Sequence, residues 1–412
     1  MSTFPFLTPV EEALSQMLAE VSPLMETELI PVTQLLGRVL AEDILAPLDV
    51  PPADHSAMDG YAVRVAETAV ELPVSQRITA GQVPQPLAAQ SCARIMTGGL
   101  IPPGADAVVM QEWVAFDEED KVLMLGKIEP GQNIRRRGQD MQLGQRVLSR
   151  GQLLDARHQG LLASLGLAEV PVMRRVRVAL LATGDELAMP GQALQPGQIY
   201  NSNRPLLMGW LAQQGVEVID LGQVADTAVA TEAALQMGAE QADLILSTGG
   251  VSVGEEDHVK PAVEKLGQLQ LWKLAMKPGK PVAFGRIPRA QGQAEAVFLG
   301  LPGNPVSVFV GAEVLLKPLL ARLAGRPPAT PRLLTGRADF DWHTQLRQEY
   351  LRVRAEPSAE GWQLSAHPNQ NSGVLSSVTW ANALACVPPH TRLQAGQALA
   401  FWFIDEPFFD QG

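Results

Sequence analysis

Cysteine is nearly absent: Cys92 and Cys386 are the only two in 412 residues, with no Cys-x-x-Cys and no Cys/His spacing of a zinc ligand set. A disulfide framework and a structural zinc site are therefore not expected, and a reducing, cytoplasmic compartment fits. Positive charge is also scarce. Lys and Arg total 32 against 44 Asp and Glu, a formal charge of −12, which argues against a general nucleic-acid binder, since such proteins carry a basic face. No Lys or Arg precedes Arg38, so the charged start of a secretory signal is missing. No apolar run reaches the length of a membrane-spanning helix. Neither nucleic acid nor membrane is expected as a partner. The sequence also lacks a phosphate-binding G-x-x-x-x-G-K-[ST], a dinucleotide G-x-G-x-x-G after a strand, and H-E-x-x-H. Its six histidines are scattered, so imidazole-based catalysis has no clear candidate.

What is present is sharply distributed. Apolar residues make up 46%, enough to exclude a mainly disordered chain. Of only eight lysines, Lys273, Lys277 and Lys280 share one short stretch, and Arg135-Arg136-Arg137 form a second knot of positive charge. An acidic chain that concentrates its cations in this way is suited to a small anion.

The length predicts two to four domains. Thr8-Pro9-Val10-Glu11 reads as a capping box with Pro at the first helical position, followed by apolar residues at helical spacing to Val21. A second helix is expected near 32–41. Breakers and short strands at 61–65, 92–97, 107–113 and 121–125 follow, and helix returns over 152–167, with apolar residues able to pack on the N-terminal helices. The expected plan is an N-terminal helical region over 1–46 continued by 147–176, with a β-rich domain inserted over 47–146. Residues 177–326 alternate strands (177–182, 216–221, 243–247, 269–274, 295–299) with helices (203–214, 228–240, 257–266, 305–323). That pattern predicts a mostly parallel sheet covered on both faces, a three-layer α/β domain. Residues 327–412 read as a β domain without helix. The chain is thus an α/β multidomain protein.

Ligands of such sheets bind outside the carboxyl ends of the strands. Four segments fall there: Thr183-Gly184-Asp185-Glu186, Ser247 to Gly254, Lys273 to Lys280, and Leu301 to Pro305. Glycines let a backbone approach a ligand, and free N–H groups favour anions. Asp59, Glu186, Asp226 and Asp257 supply carboxylates of the kind that bridge Mg²⁺ to phosphate oxygens, although each is also a plausible cap or turn residue. The acidic run 117–120 reads as a solvated hairpin tip. Residues alone therefore point to metal-assisted transfer or hydrolysis on a small phosphorylated ligand.

Seven motifs occur in order: Ser56-Ala57-Met58-Asp59-Gly60-Tyr61-Ala62, Arg94-Ile95-Met96-Thr97-Gly98, Asn133 to Gly138, Thr183 to Leu187, Ser247 to Gly254, Lys277-Pro278-Gly279-Lys280-Pro281 and Leu301 to Pro305. Together they closely resemble the molybdopterin molybdenumtransferases, bacterial relatives of the gephyrin E domain. The resemblance spans nearly the whole chain and is weakest over 330–412.

That resemblance implies Mg²⁺-assisted insertion of molybdate into adenylylated molybdopterin with release of AMP. It implies a homodimer in which Asp59 reaches a composite site from the partner subunit, and transient contact with the molybdopterin adenylyltransferase and with cofactor acceptors. Catalytic roles would fall to Asp59, Thr97, Glu186, Asp226, Asp257 and Lys277, with Glu186, Asp226 and Asp257 as metal ligands. Substrate binding would fall to Asp140, Thr183, Gly184, Asp185, Ser247, Gly249, Gly250, Ser252, Gly254, Lys273, Lys280, Pro302, Gly303 and Asn304. Molybdate would be held by Lys277, Pro278, Ser307, Arg352 and Ser372, with Arg347 or Arg354 as alternatives to Arg352. Two departures stand out: Gln139 replaces an acid before Asp140, and Asp226 is a single acid where relatives often have two, leaving Thr227 to cap a helix. A non-catalytic molybdopterin-binding scaffold and the preceding adenylyltransferase step remain as alternatives.

Overall fold

A computed structural model of the chain describes residues 7–250, 258–289, 294–327 and 331–404. The contacts divide it into two compact units, one of residues 1–29, 37–41 and 171–412, the other of 30–36 and 42–170. No helix among the described residues is long and apolar enough to cross a membrane.

The first unit is built on a six-stranded sheet. Its spatial order is Glu217–Val224, Arg177–Thr183, Leu244–Thr248, Ala296–Leu301, Pro281–Ile287, Gln268–Lys273. The first four strands run parallel, and Pro281–Ile287 is antiparallel to both of its neighbours. Sequence reading missed that strand because Pro281 and Gly285 look like breakers. Alternate residues serve opposite faces. Val178, Leu180, Leu244, Leu246, Phe284 and Leu299 pack with Leu207 and Trp210 of the helix Asn203–Gln213 and with Val10, Ala13 and Met17 of the helix Val10–Glu20. Ala179, Leu181, Ile245 and Phe298 pack with Leu235 and Ala239 of Ala228–Gln241 and with Val259 and Val263 of Val259–Leu266. Each such buried Leu, Ile or Phe stabilises the fold by about 1.5–3 kcal/mol. Thr227 caps the helix Ala228–Gln241, as expected, its Oγ1 accepting from Ala230 N–H at 3.3 Å.

The expected cap at Thr8 is not formed. Thr8 lies in a parallel bridge to Leu274, its N–H donating to Lys273 O at 3.0 Å, and Pro9 takes the N-cap position. The helix expected over 305–323 is continuous but changes winding, from Pro305–Gly311 through a π segment Ala312–Leu316 to Lys317–Leu323.

Residues 334–403 close into a barrel. Gln348–Ser358, Gly361–Ala366, Leu334–Ala338, Ala398–Phe403 and Ala383–Val387 pair in sequence, and the last pairs back to the first. Val353, Leu364, Leu399 and Phe401 fill it. The region is not free of helix, as expected, because Ser376–Trp380 forms a short one.

The second unit holds a four-stranded sheet ordered Val74–Ile78, Cys92–Ile95, Gly60–Val63, Ala107–Met110, and a hairpin Val114–Phe116/Val122–Met124 whose exposed tip is the acidic run 117–120. The helix expected near 32–41 shrinks to a 3₁₀ turn, Val32–Gln34. The helix Ala156–Ser164, capped by Asp155, packs on that turn, whereas Val10–Glu20 belongs to the first unit. The contact partition therefore cuts through the region expected over 1–46 and 147–176.

Candidate functional site

The described parts of the four segments expected at one edge lie there. Two antiparallel steps bring Gln268–Lys273 back to the direction of the parallel strands, so the lysine segment leaves from the same side. Gly249 and Gly250 take φ values of +83° and +66°, which L side chains rarely adopt. Gly249 N–H donates to Leu301 O at 3.1 Å, and a Cβ added there would lie 3.3 Å from Thr183 O. Asn203 Nδ2 donates to Gly303 O at 2.7 Å and fixes the neighbouring turn. Met276–Lys277 adds a short parallel strand to the barrel, Lys277 opposite Glu349. Gly279 (φ +103°) then turns the chain so that a Cβ there would stand 3.7 Å from Ser307 Cβ.

These segments enclose a cavity of about 460 Å³. Its lining includes the expected Gly249, Gly250, Lys277, Pro278, Lys280, Pro302, Gly303, Asn304, Ser307 and Ser372. It adds Gly279, Pro281, Arg347, Gln370 and Asn371. Among the described residues Lys277, Lys280 and Arg347 are its cations, and no carboxylate lines it. Lys277 Nζ is paired with Glu349 at 3.1 Å. Neither Lys280 nor Arg347 has an ion pair among the described residues. Gln370 ties the polar turn 369–373 to the barrel: its Oε1 accepts from Arg352 N–H at 3.0 Å and its Nε2 donates to Arg352 O at 2.9 Å. Ser372 O accepts from Val306 N–H at 3.0 Å, joining that turn to the helix carrying Ser307.

The structure places Arg352 in the barrel wall. It is only 1% exposed, its Nε donating to Ser377 Oγ and its Nη1 to Tyr350 O, and it does not line the cavity. Burial pushes its guanidinium down to about 10. Arg347 lines the cavity, while Arg354 lies over the Trp380 ring at 4.8 Å. Lys273 is exposed, at the end of its strand, and also stays off the lining. Thr183, Gly184, Asp185, Glu186 and Ser247 lie on neighbouring loops or beneath them; Thr183 and Ser247 are buried, and Ser247 Oγ has no partner among the described residues. Gln223 Nε2 clamps the first loop, donating to Gly184 O at 3.0 Å and Leu187 O at 2.8 Å. Parallel pairing of Thr183 with Val224 makes Glu186 and Asp226 residents of adjoining strand ends. Ser252, Gly254 and Asp257 lie outside the described residues. Among those described, no three His, Cys, Asp or Glu cluster closely enough to hold a metal ion.

Asp59, Thr97 and Asp140 belong to the second unit. Thr97 N–H and Oγ1–H donate to Asp59 Oδ1 at 2.7 and 2.8 Å. Those bonds, the backbone one first, and the Arg94 charge hold the Asp59 carboxyl below the ordinary carboxylate value. The stability contributed is thus present above that ordinary value and is lost as pH falls through the lowered one. Thr97→Val deletes only the hydroxyl bond, so Asp59 should titrate at higher pH, as read by carboxyl NMR. Gly60 is required by packing: a Cβ there would lie 1.9 Å from Val109 O. Gly60→Ala should cost about 2–3 kcal/mol in a denaturant melt.

The arginine knot is mostly neutralised internally. Arg136 pairs with Asp54 at 2.6 Å and Arg137 with Asp49 at 2.5 Å. Gln139 accepts from Arg136 N–H at 3.0 Å, a turn role an acid could also fill. Asp140 is exposed.

Three family models match the chain in succession: the MoeA N-terminal region (domain I and II) over residues 8–166, the probable molybdopterin binding domain over 179–322, and the MoeA C-terminal region (domain IV) over 335–404. A molybdopterin molybdenumtransferase of Haemophilus influenzae is 42% identical over 346 residues, 80% of this chain and 84% of that protein. One from Synechococcus elongatus is 37% identical and covers 91% and 94% of the two chains. The crystal structure of a molybdopterin biosynthesis MoeA protein from Pyrococcus horikoshii superposes with a TM-score of 0.83 at 29% identity, over 96% of this chain and 99% of that one. With identity at this level over four-fifths of its length and the full order of regions matched, the chain belongs to the molybdopterin molybdenumtransferase family.

Proposed function

We propose that the chain transfers molybdenum from molybdate to adenylylated molybdopterin and releases AMP. The observation that carries this is the cavity at the strand ends: among the described residues, three cations, no carboxylate, and glycine turns that bare the backbone. Molybdate is a small tetrahedral dianion, suited to charge-assisted contacts from Lys277, Lys280 and Arg347 with hydroxyls of Ser307 and Ser372 beside them. The loops at 183–187 and 247–250 adjoin that cavity and suit the pterin and its phosphates.

Mg²⁺ fits the acids available. Glu186 and Asp226 offer hard oxygen donors from adjoining strand ends, and one or two carboxylates with substrate phosphates are its usual ligands; Asp257 is the third acid assigned to it. Bound there, Mg²⁺ would draw charge from the pyrophosphate and ease departure of AMP. Glu186 and Asp226 hold that charge in place, and Lys277 and Arg347 orient the oxyanion. Asp59, kept ionised by Thr97, is the acid contributed in a homodimer from the second subunit.

Calorimetry with molybdate tests the anion site. Arg347→Met should weaken molybdate binding by about tenfold to a hundredfold, the worth of one charge-assisted contact, whereas Arg352→Met should act on stability first. Equal molybdate affinity in wild type and Arg347→Met would remove Arg347 from the site.

A further inference from the structure

Lys277 does not stand alone at the cavity wall. Its Nζ lies 3.1 and 3.2 Å from the two carboxylate oxygens of Glu349. The Glu349 side chain is 9% exposed and that of Lys277 42%. Glu349 Oε2 also accepts from Trp342 Nε1–H at 3.1 Å. Backbone register sets the two residues opposite one another. The carboxylate is thus fixed by the barrel, while the ammonium is free to be shared. Glu349 does not line the oxyanion cavity; it borders the neighbouring cavity of about 1040 Å³, which Lys277, Lys280 and Arg347 also line. Among the described residues the cation wall therefore has an acid behind it and none in front.

We propose that Glu349 is a positioning and specificity-determining residue that holds Lys277 at the wall and tempers the oxyanion site, so that molybdate is held loosely enough to be handed on. The proposal rests on the oxyanion reading above. A fixed negative charge behind the cations repels a bound anion in proportion to that anion's charge. It therefore lowers affinity for a dianion more than for a monoanion. Tight holding of a substrate that must be transferred does not raise turnover, because only interactions stronger in the transition state do so. A carboxylate at this place weakens ground-state binding while keeping the ammonium aimed.

Glu349→Gln keeps the shape and an oxygen acceptor but removes the charge. The probes are molybdate and the monoanionic tetrahedral perrhenate, titrated against the full-length protein at low salt. Glu349→Gln should tighten molybdate about tenfold and perrhenate only about threefold, half the charge giving half the logarithm. With adenylylated molybdopterin and Mg²⁺, KM for molybdate and kcat should both fall. Glu349→Asp retains the charge and must leave the molybdate-to-perrhenate ratio at the wild-type value, which tests the proposal even if the amide variant does not fold. Equal weakening of both anions in Glu349→Gln would mean that Glu349 only pins Lys277, and would overturn the proposal, as would a changed ratio in Glu349→Asp. If the wild-type protein binds no molybdate, the oxyanion reading falls and takes this with it; if the wild type binds and Glu349→Gln does not tighten, only the tempering role falls.

Discussion

Asp59→Ala gives a folded protein that still binds molybdopterin and molybdate but has lost about a hundredfold to a thousandfold of its molybdate-dependent AMP release, the usual worth of one preorganised electrostatic group. The basis is the geometry of the second unit. Asp59 is exposed, so its removal opens no cavity in the core, and its carboxylate is held by two Thr97 donors rather than spent on an ion pair. A residue placed and ionised in this way, outside any core, is organised for a ligand. Fold is retained because the Gly60 backbone, and not the Asp59 side chain, fits against Val109. The two-subunit site proposed above gives the same variant a second readout. Mixed with an inactive Lys277→Met protein, Asp59→Ala should recover about a quarter of wild-type activity, since half of the dimers are mixed and each has one complete site. Were Asp59 to serve its own subunit, the mixture would stay inactive. Wild-type rates from Asp59→Ala alone would remove Asp59 from the mechanism.

Lys277→Met carries the other large effect. It deletes one of the cations lining the cavity and leaves Glu349, 7% exposed, with Trp342 as its remaining side-chain donor among the described residues. Molybdate affinity should fall by about a hundredfold, from the lost contact and from the unmasked carboxylate together. Stability should fall as well, by about 1–3 kcal/mol, because a buried acceptor is stripped of its partner. Adding Glu349→Gln should restore the melt at neutral pH without restoring molybdate affinity to the wild-type level. A Lys277→Met protein with unchanged molybdate affinity would contradict the placement of the anion.

The strand-end loops were legible because glycine and proline punctuate apolar runs there, and that is local information. Ser307 and Asn304 came with the same motif, at the start of the helix that follows. What was not legible depends on long-range pairing. Glu349 meets Lys277 across 72 residues, through a two-residue strand that no periodicity announces. Arg347 and Arg352 differ in fate because the strand Gln348–Ser358 is buried on both faces at its start, so alternation does not say which side chain turns to the cavity and which into the wall. Gln370 and Asn371 left a weak signal, a run of turn-forming residues, but not its use. The helix expected over 32–41 failed for a local reason: Gly37 takes φ +70° and stops a turn begun at Val32. Thr8 failed for a distant one, since Lys273 and Ala275 take its backbone into a bridge. The arginine knot misled because Asp49 and Asp54, some eighty residues away, consume its charge.

The central claim is that this cavity delivers molybdenum. Purified protein incubated with adenylylated molybdopterin and Mg²⁺, with and without molybdate, tests it by AMP release and by reconstitution of a molybdenum-free acceptor enzyme. The account predicts AMP release stimulated by molybdate, with active cofactor formed in step. No molybdate stimulation, or consumption of ATP in molybdate's absence, would contradict it.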